Sequence, residues 1–578
     1  MLISDDGEAQ LNGGELLART LRDVAPAVFA LHGGHLDSFF KGCQAEGIDL
    51  VDFRHEAAAV NAADGYARLT GGLGVAAVTS GPGFTNGFAG LANAYADGVP
   101  VLVITSSPPL RELETNELQG GIDQVAAARP VTKWAHRITS VERIPDLAGL
   151  AVRHALAGRP GPVLLELPID VAFSPVEVSG LRPSGAPRIG ERPRPAQSAI
   201  DDAVSLLQAA ARPIVVVGEG TLWSDCQEAL VRFAETTGIP VFSSGPARRT
   251  LPALHPLNGQ GIVSLVALAM AEIPGPDVVL LVGAPMGMFT GGGAGAVIPA
   301  DARLIQIDAD AAEIGRLGPV DVAVAGDCGQ ALNALVAGSD SWPDRRDWAA
   351  QATGAHQLMA MMFADAPETV GGRLHPYRAA HETLAALDPG AIIVTDGGEA
   401  AAWADSAITA TEPAMVLRLG YQGHLGAGHG WAIGAQIAHP DRRVIQVTGD
   451  GAVAFHIQEL DTMVRHQLPI VTVVLSNDTW GMSIHGQDAI FGPGNDVISR
   501  LAPTNYDQVA IAFGAHGERV KNLADLGPAV RRALDSKRPA LINVVVSNDV
   551  VHPVTTMLLG DLTRADEIVV PYYQNIPK

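Results

Sequence analysis

Short, mostly apolar runs rich in Val and Ile recur along this chain. Each ends in glycine or a small polar residue before a helical pattern begins. They start at Val75, Val101, Pro213, Val278, Leu304, Ala391, Val444, Val471 and Ala540. Their largely continuous apolar character marks strands covered on both faces, which parallel sheets with helical crossovers provide. The pattern predicts an α/β chain of doubly wound parallel sheets. At 578 residues the chain exceeds what one core can hold. Two stretches without periodicity, 179–195 and 338–347, divide the runs into three blocks, 9–180, 196–338 and 375–555. The segment 350–374 reads as helical and then irregular. A tail, 556–578, extends past the last strand, either as a docked terminus or as a lid that closes over a site.

Charge removes several function classes. Sixty-two acidic residues against 39 basic ones give a net charge of −23, which suits neither a nucleic acid nor an anionic membrane surface. Cys43, Cys226 and Cys328 lie far apart and form no metal or redox motif, as expected of reduced core cysteines in the cytoplasm. The start, MLISDDGEAQ, lacks a basic-then-apolar leader pattern. The longest uncharged apolar run, near 262–271, falls short of the ~20 residues of a membrane span.

The most informative stretch is 449–478, GDGAVAFHIQELDTMVRHQLPIVTVVLSND. Gly449-Asp450-Gly451 follows the Val444 strand, a helical pattern covers 458–466, and the next strand ends on Asn477-Asp478. One reading is a plain turn. Another is a dinucleotide fingerprint, G-x-G-x-x-A, but that motif wants an acidic residue about 20 positions on, and this strand ends later. A third is a Mg²⁺–diphosphate site: Asp450 offers a carboxylate, Asn477 an amide oxygen and Thr479 a backbone carbonyl, the hard oxygen donors that Mg²⁺ takes. Ligands of open α/β sheets sit at carboxyl ends of strands, where Asp396, Asp450 and Asn477 all fall.

GDG, a helix, a strand and then Asn resembles the motif of thiamine diphosphate-dependent enzymes. Block one carries a second likeness, in Arg54-His-Glu56-Ala-Ala-Ala with Ala63-Asp-Gly-Tyr-Ala-Arg and Thr79-Ser-Gly-Pro82-Gly-Phe-Thr-Asn86. It resembles the pyrimidine-binding domain of the acetolactate synthase and decarboxylase superfamily. The resemblance implies three domains: pyrimidine-binding, central NAD-like and diphosphate-binding. It implies thiamine diphosphate and Mg²⁺ as cofactors, with Asp450, Asn477 and the Thr479 carbonyl on the metal. Gly449, Gly451 and Ala452 would lie along the diphosphate, and Thr79 and Pro82 beside the cofactor. Glu56 would meet the pyrimidine ring. Gly420-Tyr421-Gln-Gly423-His-Leu425 resembles the loop that bends the cofactor, Leu425 being the wedge and the Gly423 carbonyl an acceptor. In that family Glu56 of one subunit and Asp450 of another share one cofactor, so the resemblance implies a homodimer or, more commonly, a homotetramer (a dimer of dimers).

Within the superfamily the chain is most similar to the benzaldehyde lyases, through Leu31-His32-Gly-Gly34-His35, Glu114-Thr-Asn-Glu-Leu-Gln119-Gly-Gly-Ile-Asp-Gln124 and Pro130-Val-Thr-Lys-Trp-Ala-His-Arg. That likeness implies a carbon–carbon lyase/carboligase acting on 2-hydroxy ketones (acyloins), with His35 transferring protons, Gln119 holding a substrate oxygen and His32 supporting. The chain departs from the pattern at the substrate pocket, for which Leu31, Gly34, Ala401, Leu419, Tyr421 and Met482 are the candidates: aromatic walls become aliphatic. Two further readings use the same cofactor. A 2-hydroxyacyl-CoA lyase, releasing formyl-CoA and an aldehyde or ketone, would need a basic groove, for which Arg248, Arg249, Arg303 and Arg316 are candidates. An acetolactate synthase-like enzyme would carry FAD in block two, where no clean G-x-G-x-x-G stands and no nucleotide is expected. A non-catalytic cofactor-binding protein would lack one of Glu56, Asp450 and Asn477, and this chain keeps all three.

Overall fold

A computed structural model describes residues 2–3, 9–115, 118–182, 192–245, 251–290, 297–388, 390–408, 415–557, 559, 566–570 and 576–578. Three six-stranded parallel sheets account for the apolar runs. The first holds β1 (Ala27–Ala30), β2 (Asp49–Asp52), β3 (Gly74–Val78), β4 (Val101–Ser107), β5 (Trp134–Arg137) and β6 (Val163–Pro168), in the order β2-β1-β3-β4-β6-β5. The second holds β7 (Pro213–Val217), β8 (Val241–Ser243), β9 (Asn258–Gly261), β10 (Val278–Val282), β11 (Arg303–Asp308) and β12 (Val322–Ala325), in the order β9-β8-β7-β10-β11-β12. The third holds β13 (Ile392–Asp396), β14 (Val416–Leu417), β15 (Val444–Gly449), β16 (Val471–Ser476), β17 (His516–Val520) and β18 (Ala540–Val545), in the order β14-β13-β15-β16-β18-β17. The first and third sheets thus repeat one topology, whereas the second has the order of dinucleotide-binding folds. The predicted fold class, three doubly wound parallel-sheet α/β domains, is the observed one. The inner strands are buried along their whole length, as their largely apolar runs require.

By contact the chain divides into two compact units. The first comprises residues 1–190, 420–442 and 456–470; the second comprises 191–419, 443–455 and 471–578. In the first unit, α1 (Glu56–Thr70) and α2 (Pro82–Asp97) flank the first sheet, and α1 packs against α4 (Ala427–Ala438). Small residues make that crossing close. A Cβ on Gly434 would stand 2.1 Å from the Ala62 carbonyl oxygen, one on Gly430 2.6 Å from that of Ala58, and one on Gly65 2.8 Å from the Trp431 Cα. In the second unit, α3 (Glu399–Ala407), α5 (Asp450–Val453) and α7 (Gly481–Phe491) start at carboxyl ends of strands in the third sheet. The helical pattern of 458–466 becomes α6 (Glu459–Arg465), in the first unit. Helix α8 (Pro553–Met557) straddles the expected start of the tail, and residues 567–568 pair with 576–577; the rest of the lid candidate lies largely outside the described residues. All three cysteines are buried thiols. Among the described residues no helix is long and apolar enough to cross a membrane.

Candidate active site

In the first unit, Glu56 opens α1 and is buried. His55 caps the helix by accepting the Ala57 N–H on Nδ1 (3.1 Å). Glu56 Oε2 accepts from Asn86 Nδ2 (3.1 Å), and a Cβ on Gly83 would stand 3.4 Å from Oε1. The carboxyl is therefore held by an uncharged amide in surroundings of alanine and glycine. The Arg54 N–H donates to Glu459, which the Thr462 hydroxyl also reaches (2.6 Å). Burial pushes the Glu459 carboxyl up to about 7.

The turn after β3 carries Thr79, Ser80 and Gly81 into Pro82, the first residue of α2. It is braced from β4 and beyond: the Ser80 N–H donates to Ser106 Oγ (2.9 Å), Thr79 Oγ1 lies 3.4 Å from the same oxygen, and the Gly81 N–H donates to Gln124 Oε1 (2.9 Å). Gln124 Nε2 in turn donates to Glu166 (3.0 Å), which also pairs with Arg137. The Ser80 hydroxyl joins two predicted residues. His35 Nδ1 lies 2.9 Å from Ser80 Oγ, and Ser80 Oγ lies 2.8 Å from Gln119 Oε1. Burial holds the His35 imidazole below its ordinary pKa. The sheet order explains the meeting: β1, β3 and β4 are neighbours, and His35, Ser80 and Gln119 follow their carboxyl ends. His32 does not join the line. Its side chain is 73% exposed and Nε2 pairs with Asp37 (2.9 Å).

The loop before α4 belongs to the same unit. The Tyr421 N–H donates to Asp97 Oδ1 (2.8 Å), and Gly420 sits so close to that carboxylate that no Cβ fits. Arg68 bridges the buried Asp97 and Asp64, with its guanidinium 5.8 Å from the Trp431 ring centre. Gly423 takes φ +62°, which glycine adopts without strain, and Leu425 is half-buried. His424 Nε2 meets Asn61 Nδ2 (3.1 Å), and His456 Nδ1 donates to the Gly426 carbonyl (2.8 Å). Leu31 and Tyr421 are half-buried, and Gly34 is exposed.

In the second unit, Asp450 is buried and meets backbone N–H groups: those of Gly451 (3.0 Å) and Asp478 (2.7 Å). Burial pushes its pKa up to about 6 against those hydrogen bonds. Asp478 adopts φ +62°, and Asn477 Oδ1 accepts the Thr479 N–H (3.1 Å). A bridge to residues 499–501 uses the Trp480 N–H and the Asp478 carbonyl, the groups on either side of the Thr479 carbonyl. Thr479 Oγ1 is buried without a hydrogen-bond partner among the described residues. Around this centre a Cβ on Gly451 would strike the Trp480 ring at 2.5 Å, and one on Gly449 would stand 3.2 Å from the Ala400 Cβ. Ala452 and Ala401 are buried, Leu419 is half-buried, and Met482 packs on Gly398. Thus Asp450, Asn477 and Thr479 form one hydrogen-bonded turn of hard oxygen donors, which suits Mg²⁺ with a diphosphate. Glu56, an acid in an apolar setting, suits a ring nitrogen.

The sequence reading missed several groups. Ser80 stood inside a quoted motif without a role, as did Gln124. Buried Glu399 accepts from His485 Nδ1 (2.8 Å) and from Thr555, and His485 Nε2 donates to the Asn548 carbonyl (2.8 Å). Burial opposes the charge on His485, yet Glu399 and that carbonyl raise its pKa overall. Arg303 pairs with Asp321, and Arg316 with Glu313 (3.0 Å); Arg248 and Arg249 lie outside the described residues.

Residues 11–127 match the N-terminal TPP binding domain of thiamine pyrophosphate enzymes, 200–335 their central domain and 396–544 their C-terminal TPP binding domain. A probable acetolactate synthase of Mycobacterium bovis is 37% identical over 95% of this chain and 98% of that protein. A 2-hydroxyacyl-CoA lyase of Arabidopsis thaliana is 28% identical over 94% of this chain and 97% of its own length, and 2-hydroxyacyl-CoA lyase 2 of Mus musculus is 31% identical over 88% and 84%. The three domain matches and a likeness over almost the whole length lead to one conclusion: the chain belongs to the thiamine pyrophosphate enzyme family.

Proposed function

We propose that the chain is a thiamine diphosphate- and Mg²⁺-dependent carbon–carbon lyase/carboligase for 2-hydroxy ketones. It works as a homo-oligomer in which Glu56 of one protomer and Asp450, Asn477 and Thr479 of its neighbour serve one cofactor. The observation that carries this reading is the line His35–Ser80–Gln119, which joins a proton-transfer group to an amide at the carboxyl edge of the first sheet. When bound, the cofactor supplies a nucleophilic carbon that adds to carbonyls and holds the charge left when the adjacent carbon–carbon bond breaks. The chain's own residues do the rest. Glu56, buried and held by the Asn86 amide, would present its carboxyl to the ring nitrogen. His35 exchanges a proton with the substrate hydroxyl, the task of a general acid/base. Gln119 fixes the neighbouring oxygen, and Leu31, Gly34, Ala401, Leu419, Tyr421 and Met482 are the proposed substrate-facing residues, more aliphatic than aromatic.

Acetolactate synthesis is the second reading, favoured by the 37% identity to a protein of that name. The CoA-ester reading has less support, because Arg303 and Arg316 are already paired with carboxylates. A panel of benzoin, aliphatic acyloins, pyruvate and a 2-hydroxyacyl-CoA, with products identified by mass spectrometry, tests all three. Fastest turnover of an acyloin is the expected result; pyruvate converted fastest, to acetolactate, would replace the first reading with the second.

A further inference from the structure

The Ser80 hydroxyl has one hydrogen and two partners. It is fully buried, and its place is fixed by its own N–H on Ser106 Oγ (2.9 Å) and by the neighbouring Gly81 N–H on Gln124 (2.9 Å). Gly81 takes φ +65° and lies close to the Gln119 segment, where an added Cβ would stand 3.2 Å from the Gln119 backbone. Oγ donates to Gln119 Oε1 (2.8 Å). With its hydrogen so used, Oγ can only accept at its other contact, so His35 must donate to it from Nδ1 (2.9 Å). The proton of the neutral imidazole then sits on Nδ1, and Nε2 carries a lone pair. The Gln119 amide, with its oxygen on Ser80, keeps its N–H bonds for another acceptor.

We infer that Ser80 is a positioning residue, whose single hydroxyl makes His35 an acceptor and Gln119 a donor in concert. Reversing the amide of Gln119 would make it donate to Ser80; the hydroxyl would then donate to His35 Nδ1, and the proton would move to Nε2. While the imidazole is neutral, either state offers one acceptor and one donor. A 2-hydroxy ketone offers the complement, a hydroxyl hydrogen next to a carbonyl oxygen. A substrate with two carbonyls side by side would leave a lone pair facing a lone pair at one of the two positions, at a cost. The inference rests on the catalytic reading of His35 and Gln119 given above and narrows it to the hydroxy-ketone pattern.

The test uses the chain reconstituted with thiamine diphosphate and Mg²⁺, and two readouts. The first is the pH dependence of diethylpyrocarbonate acylation at His35, followed on its peptide by mass spectrometry. Removing the acceptor of Nδ1–H in Ser80→Ala destabilises the imidazolium, so the midpoint should fall by roughly half a pH unit; an unchanged midpoint overturns the contact. The second is cleavage of acetoin to two molecules of acetaldehyde. Ser80→Ala should lower kcat about tenfold in the wild-type background and less than about twofold in His35→Ala, because coupled residues are not additive. The same loss in both backgrounds would make Ser80 a packing residue and overturn the inference. A His35→Ala variant with wild-type kcat would overturn the catalytic reading itself, and the acylation midpoint distinguishes that failure from a failure of the Ser80 contact.

Discussion

Two sets of buried carboxylates solve the same electrostatic problem in opposite ways. In the first unit Asp64 and Asp97 share the guanidinium of Arg68, so the negative charges meet a positive one where water is excluded. Burial still drives the Asp97 pKa upward, with Arg68 opposing it. In the second unit Asp450 is as deeply buried, but the groups around its oxygens are backbone N–H dipoles and the Ser476 hydroxyl. A buried acid with its own guanidinium is a brace: here it pins Tyr421 at the head of a loop. A buried acid supported by dipoles alone retains affinity for a cation.

The sharpest way to break this contrast is to remove Asp450. In Asp450→Ala, Mg²⁺-dependent retention of thiamine diphosphate should weaken by at least ~10²-fold in calorimetric titration, since the residue is proposed as a direct ligand. Retention equal to wild type would make Asp450 another structural acid. On the other side, Arg68→Ala should cost about 3–5 kcal/mol in denaturant unfolding, the penalty for leaving buried carboxylates without their counter-charge. A loss below about 1 kcal/mol would mean that the triad is not a brace. Glu56 is a third kind of buried acid, held by an uncharged amide. Glu56→Gln should slow exchange of the cofactor C2 proton by about 10²-fold while binding persists; normal exchange would strip Glu56 of its role.

The smallest effect concerns pH. Burial holds His429 down to about 3 and His456 to about 4, both below the ordinary 6.5, so both are neutral in the fold. Below pH 6.5 the unfolded chain takes up protons that these sites refuse, and stability falls as pH drops from 6.5 toward 4. Glu459, raised to about 7 from 4.5, acts with the opposite sign between those values. His429→Phe should flatten the acid-side decline of Tm by a few degrees. An unchanged slope would assign the decline to other groups.

How much of this was legible beforehand follows the same physics. Inner strands such as those at Val278 and Val471 announced themselves because both faces are buried, and burial on both faces favours apolar residues. Edge strands did not: Trp134–Arg137 and His516–Val520 carry polar and charged side chains, and the neighbouring strand makes them strands. The turn that joins Asp450 to Asn477 and Thr479 was legible because its parts follow two neighbouring strands with two short helices between them. Ser80 was not, since its partners stand 45 residues before it and 39 after, and the sheet order alone brings them together. Equally hidden was the membership of 420–442 and 456–470 in the first unit, although their sequence neighbours build the third sheet.

The bare crossing of α1 and α4 has an engineering consequence. Glu56 heads one of these helices, and the turn bearing Gly423 and Leu425 leads into the other, so a single added methyl at Gly430 or Gly434 would wedge the acid away from the turn. The three glycines act as a fixed gauge between the residues proposed to hold the cofactor. Libraries meant to retune the proposed substrate-facing residues should freeze positions 65, 430 and 434, because a gain there would be forfeited once that gauge slips.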